Sequence, residues 1–194
     1  MAKLPEIITE INTSLKTFQF ADKRFQHAFS EIVEIVPKKD GDITEKYPST
    51  VSNDGDIVKF TIDDTFGFQL YHRHTGSVFN ETPIEEQFGN VIVREITDNM
   101  IMVMMGDRDQ IKLTKEDIIT GVQLGFPLEL GKAFLETNTL DSAQIIQGEF
   151  NLDREALWEQ EFGTRFSLKP HSIFLSYSYD VVTRVRKNCI KICE

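Results

Sequence analysis

The chain has 194 residues, of which 40% are hydrophobic and 10% aromatic, enough apolar material for one packed core and too much for a chain disordered throughout. Its net charge of −10 argues against a protein that grips nucleic acid over its whole surface. No run approaches about eighteen uncharged apolar residues, and the first apolar residues are interrupted by Glu6, Glu10 and Lys16, so neither a membrane span nor a signal peptide is expected.

Leu4, Ile7, Ile8, Ile11, Leu15 and Phe18 keep helical spacing, with Pro5 suited to a first helical position; residues 5–18 are expected to form an amphipathic helix. The run FSEIVEIV, Phe29 to Val36, is rich in β-branched residues and reads as a strand stopped by Pro37. Lys38 to Asp42 is a turn, and Tyr47-Pro48 to Ser52 is either an irregular extension or a second strand. Asn53-Asp54-Gly55-Asp56 signals a tight turn into a strand from Ile57 to Ile62, and extended character resumes from Phe66 to Tyr71. These segments predict a meander of two or three antiparallel strands.

Residues 75–90 carry Gly76, Pro83 and Gly89 without clear periodicity, and are expected to form a long loop, an interaction surface by its length. Asn90–Thr97 and Met100–Met105 read as a hairpin turning at Asp98-Asn99. MIMVMM is apolar at every position, so both faces should be covered, by a helix on each side or by a neighbouring chain. Thr114 and Asp117 have the spacing of a helix cap; Ile118, Ile119 and Val122 supply the buried face, and Gly125-Phe126-Pro127 the stop. A short helix over 128–136, a strand from Ala143 to Phe150, and a helix capped by Asn151 or Asp153, holding Leu157 and Trp158 and closed by Gly163, follow.

The clearest signal is SIFLSYSYDVVTRVR, Ser172 to Arg186. Ile173, Leu175, Tyr177, Tyr179, Val181, Thr183 and Val185 alternate with a mostly polar set, the pattern of a half-buried strand. Fifteen extended residues span roughly 50 Å, beyond the usual strand, so its far end is expected to meet another subunit. The fold class is therefore α+β: a mostly antiparallel sheet with an N-terminal amphipathic helix, one or two further packed helices and a long C-terminal strand. One domain spans 1–194, ending in a short tail, 187–194. Residues 165–194 carry net charge +4 and the rest −14, which suits head-to-tail contact between copies. Tyr177, Tyr179, Arg184, Arg186, Met102 and Met104 are the candidate interface residues.

Catalytic signals are weak. His72 and His74 fall on one face of a strand at the spacing of a metal pair, with His27, Asp63 or Asp64 as a third ligand, but two ligands make no specific site. Asp63-Asp64 with Glu45 and Lys59 sketches a metal-dependent nuclease or hydrolase, the alternative function. The other acidic pairs sit beside glycine or between strands, as turn chemistry places them, and none fits the twelve-residue calcium loop. No nucleophile elbow or phosphate-cradling glycine loop occurs. Arg184, Arg186 and Lys187 near Tyr177 and Tyr179 suit a protein interface as well as phosphate. Cys189 and Cys193, at the end of the chain, form no disulfide framework or four-ligand zinc site within one chain. Neither catalytic, metal nor cofactor residues are assigned.

The order of elements, carried by LPEIITEINTSLKTF, the pairing of EIVEIV with DIVKFTI, and the closing SIFLSYSYDVVTRVR, resembles the small α+β proteins that complete the neck and tail of tailed bacteriophages: tail terminators, tail-completion proteins and head–tail connector rings. The resemblance is architectural and covers most of the chain. It implies a non-enzymatic structural subunit of a homo-oligomeric ring at the head–tail junction, located in the virion after assembly in the host cytoplasm. Its partners would be further copies of itself and other neck or tail proteins. DNA would pass through an acidic lumen without specific binding, and no membrane or cofactor would be involved.

Overall fold

The computed structural model describes residues 4–18, 27–51, 56–60, 68–86, 89–137, 140–163 and 171–186. The helical spacing at the start of the chain yields α1, Leu4–Phe18, with Ile7, Ile8, Ile11 and Leu15 fully buried. Next come β1 (His27–Asp40), β2 (Ile43–Val51) and β3 (Ile57–Lys59). β4 (Phe68–Glu86) and β5 (Gly89–Asp107) are nineteen residues each, and they lead into α2 (Arg108–Ile111) and α3 (Lys115–Gly125). α4 (Lys132–Thr137), β6 (Ser142–Asn151), α5 (Arg154–Phe162) and β7 (Ser172–Arg186) complete the order.

The seven strands form one sheet in the order β3-β2-β1-β4-β5-β7-β6, antiparallel throughout except that β1 and β4 run parallel. The class is α+β, with the N-terminal helix and the long C-terminal strand in their expected places. Three local expectations are corrected. β1 continues through Pro37, because beyond Val33 it pairs only with β2 among the described residues and a missing N–H on the other side is tolerated. Residues 75–86 and 89–90 are strand rather than loop: Gly76 is absorbed at a register shift in β4, and Pro83 lies where β4 has one neighbour among the described residues. Asp98-Asn99 is not a turn, because β5 runs straight through it, paired on one side with β4 and on the other with β7. The third strand is shorter than expected, Ile57–Lys59, and residues 61–67 lie outside the described part, as do the 53–55 turn and the 187–194 tail.

Period-two alternation sorts the strands onto two covered faces. Phe68 and Leu70 of β4, Met100, Met102 and Met104 of β5, and Ile173, Leu175, Tyr177, Tyr179 and Val181 of β7 pack with α1 and α3. Tyr71, Val103, Met105 and Phe174 point the other way, onto Leu157, Trp158 and Phe162 of α5. The all-apolar MIMVMM run is thus explained by a helix on each side. α3 opens on a full capping box between Thr114 and Asp117, α5 is capped by Asp153 and closed by Gly163, and the Ser14 hydroxyl donates to the Gly125 carbonyl (2.9 Å), joining α1 to α3.

The β6–β7 ladder shifts register between Gln147 and Phe150, and there the Ser178 hydroxyl accepts from the Glu149 N–H (2.9 Å) and donates to the Glu149 carbonyl (3.2 Å). Gly148 permits this approach, since a Cβ on it would lie 2.5 Å from Ser178 Oγ and 2.6 Å from Ser178 O. Gly148→Ala is expected to destabilise the fold by about 1–3 kcal/mol through forced strand separation, read from the urea midpoint. An unchanged midpoint would show that the bulge relaxes freely.

Candidate assembly surface

β4 pairs with β1 only as far as Arg73; from His74 to Glu86 it is bonded on one side alone, to β5, among the described residues. Among the described residues β5 in turn pairs with β7 only from Val93 onward, so the far end of the β4–β5 pair runs past the described partners on both sides. Among the described residues this β4–β5 arm has a long open edge on β4; β7 backs β5 as far as Val93, and only the stretch beyond Thr82 and Val93 is two-stranded. The other edges are shorter or covered: β1 from Glu34 to Asp40 is bonded only to β2 among the described residues, and its Pro37 has no N–H to offer. β3 is three residues long, and β6 is covered by the segment after α3, where the Ile145 N–H donates to the Leu128 carbonyl (2.8 Å) and the Leu130 N–H to the Ala143 carbonyl (3.2 Å). An uncovered strand edge is a template for pairing with another chain, and a two-stranded ribbon is marginal by itself.

Side chains on the arm reinforce that reading. Val78 and Phe79 are adjacent, so they point to opposite faces, and they are 52% and 65% exposed. Polar side chains along it are matched across strands: Arg94 with Glu81 (2.5 Å), Arg184 of β7 with Glu95 (2.7 Å), and His74 Nε2 with Asp98 Oδ1 (3.2 Å). These pairs are largely exposed and stabilise the ribbon only weakly. Sequence reasoning missed Val78 and Phe79 because Gly76, Pro83 and Gly89 punctuate the stretch; VIVREI, opposite them, was the available strand signal.

The candidate interface residues are distributed otherwise than expected. Met102 and Met104 are fully buried beneath α1 and α3. Tyr177 lies between Phe126 (5.3 Å between ring centroids) and Phe150 (4.5 Å), and Tyr179 meets Phe126 at 4.9 Å. β7 is paired with β5 throughout and with β6 from Ser176 to Arg184, so most of its length is satisfied within one protomer. The expected outward role of these four side chains is therefore corrected to core packing. Arg184 alone among them stands at the surface, paired with Glu95, while Arg186 is described only as the backbone partner of Val93.

His72 is wholly buried, with Nδ1 2.8 Å from the Tyr179 hydroxyl and Nε2 3.0 Å from Asn12 Oδ1 of α1. Asn12 Oδ1 only accepts, so Nε2 carries the proton and Nδ1 accepts from Tyr179. Burial depresses the His72 pKa to about 3, which keeps the ring neutral. Both ring nitrogens are occupied, so the proposed metal pair has lost one member to the core, while His74 bonds Ser77 (2.9 Å) at the surface. Glu45 is buried and accepts from the Tyr47 hydroxyl, and Lys59 stacks over the Tyr47 ring at 4.0 Å. The His27 side chain, Asp63 and Asp64 lie outside the described residues. Among the described residues no three His, Cys, Asp or Glu side chains converge as metal ligands, and no helix is long and apolar enough to cross a membrane.

On the α5 face, Glu161 is completely buried and accepts from the Tyr71 hydroxyl (2.7 Å) and from Arg73 Nη2 (2.9 Å). Burial, followed by the Glu161 charge, raises the Tyr71 pKa well above its usual range, so Tyr71 serves as a neutral donor. Beside this group a cleft of about 260 Å³ is lined by Arg73, Phe150, Gln160, Ser176 and Ser178 among others. A smaller pocket of about 140 Å³ opens where β5 ends and β7 begins. Comparison with known protein families and with curated protein sequences finds no match to this chain.

Proposed function

We propose that this chain is a non-enzymatic structural subunit that assembles with copies of itself, in a ring of the kind found at the head–tail junction of tailed phage particles. The observation that carries the reading is the open β4 edge from His74 to Glu86 with exposed Val78 and Phe79, the longest strand edge left unpaired among the described residues. A self-sufficient monomer gains nothing from such a ribbon and risks adventitious pairing through it. A subunit that lays the ribbon on its neighbour uses the open edge for main-chain pairing and Phe79 for apolar burial. The acidic composition fits a lumen through which DNA passes without adhering. In this reading the copy-to-copy contact moves from β7, which is internal, to the arm.

The test is oligomeric mass by light scattering on a sizing column, with negative-stain images of any large species. Wild-type protein is expected as a closed ring, a multiple of the 22.3 kDa protomer. Val78→Glu/Phe79→Glu, which puts a charge at both exposed apolar positions of the open edge, should leave the circular dichroism unchanged and yield monomer. Wild-type protein that stays at one protomer mass up to its solubility limit would overturn the reading.

A further inference from the structure

We infer that the cleft between α5 and the β6 bulge binds one ring of a neutral, hydroxyl-rich ligand, a monosaccharide unit, whether or not the chain self-assembles. Its polar lining comes from Arg73 of β4, Glu149 and Asn151 of β6, Gln160 of α5 and Ser176 of β7, beside the aliphatic residues Ile101 and Leu157. Several of these groups are fixed before any ligand arrives. Glu161, fully buried, accepts from Arg73 Nη2 at 2.9 Å and is held through its other oxygen by the Tyr71 hydroxyl. The Ser178 hydroxyl bonds both the N–H and the carbonyl of Glu149 across the bulge. Asn151 Oδ1 accepts from the Asp153 N–H (3.0 Å), which sets the orientation of the Asn151 amide. Groups held this way lower the ordering cost of binding.

The chemistry of the lining selects the ligand class. Arg73 and the Asn151 amide nitrogen donate, the Glu149 carboxylate accepts, and the Gln160 amide and Ser176 hydroxyl do both. A mixture of donors and acceptors suits hydroxyl groups, each of which is both. Ions fit less well. The Arg73 charge is already answered by Glu161, and Glu149 adds a second carboxylate, so an anion finds no net positive site. A cation would lie against the Arg73 guanidinium. At about 260 Å³ the cleft falls below the roughly 300–1,000 Å³ of drug-sized sites, which limits the occupant to a single ring. The C–H face of a pyranose would pack on Ile101 and Leu157 while its hydroxyls meet the polar groups. The cleft is built to bind rather than to cleave: both Glu161 oxygens are bonded and sealed in the core, leaving Glu149 as the one carboxylate where glycoside hydrolysis uses two.

Isothermal titration of the full chain with the methyl glycosides of glucose, galactose, mannose and N-acetylglucosamine tests this. Saturable one-to-one binding of at least one of them is expected at roughly millimolar concentration. Gln160→Trp, at an exposed position of α5, fills the cleft and should weaken that binding by about tenfold or more with an unchanged thermal midpoint. If the tryptophan disturbs folding, Glu149→Ala takes its place, because it removes an exposed carboxylate and keeps the backbone bonds to Ser178; the same direction of change is expected. Glucuronate, the charged counterpart, should bind more weakly than the neutral sugar. No saturable binding of any neutral probe up to about 50 mM, binding that the substituted protein retains in full, or tighter binding of glucuronate would each overturn the inference.

Discussion

Glu161→Ala is expected to cost about 3–5 kcal/mol of folding stability, a large part of the roughly 5–15 kcal/mol typical of a domain. Glu161 sits in the last turn of α5, fully buried, and binds Tyr71 and Arg73 with its two oxygens. Removing it leaves the Arg73 guanidinium, only 16% exposed, without its counter-charge, and the Tyr71 hydroxyl without an acceptor. An uncompensated buried charge is the expensive outcome. Replacing all three groups by apolar residues of similar volume, Tyr71→Phe/Arg73→Met/Glu161→Leu, should therefore recover most of the loss. Urea unfolding of wild type, Glu161→Ala, Glu161→Leu and the triple variant decides between a charge effect and lost packing, because Glu161→Leu fills the space and leaves Arg73 unpaired. A Glu161→Leu variant nearly as stable as wild type would mean that the alanine acts mainly by opening a cavity under α5.

This buried carboxylate marks where sequence reading reaches its limit. Strand character and burial side were legible in β7 because alternation over SIFLSYSYDVVTRVR depends only on the period of an extended chain. The Thr114–Asp117 cap and the Gly163 stop were legible for the same local reason. The partners of those elements were not. Tyr177 and Tyr179 carry the same letters whether they meet Phe126 of their own chain or a neighbour, and long-range packing chose the former. The arm was misread because Gly76, Pro83 and Gly89 are local breakers, and cross-strand pairing with VIVREI overrode them. His72 looked like half of a metal pair because spacing on a strand fixes the face and says nothing of what covers it. α1, bringing Asn12, covers it.

Stability should fall by about 2 kcal/mol between pH 7.5 and pH 5 through His72 alone. The ring is neutral in the native state, with its pKa depressed to about 3 by burial, whereas an unfolded histidine titrates near 6.5. Below about pH 6.5 the unfolded chain therefore binds a proton that the native chain refuses, and stability drops by about 1.4 kcal/mol per pH unit until pH approaches 3. The contribution is complete above pH 6.5 and is lost on acidification, so the sign is that of a base buried neutral. Protonation also sets a second donor at Nδ1 against the Tyr179 hydroxyl, which must then turn away, and introduces a charge between β4 and α1. Asn12→Leu/His72→Leu/Tyr179→Phe removes the titrating group together with both polar partners, so no orphaned donor confuses the comparison. Urea midpoints at pH 7.5, 6.0 and 5.0 should fall less steeply for this variant than for wild type, the difference reaching about 2 kcal/mol at pH 5. Parallel pH profiles would mean that the imidazole already carries its proton in the folded chain, with Asn12 and Tyr179 both accepting from it.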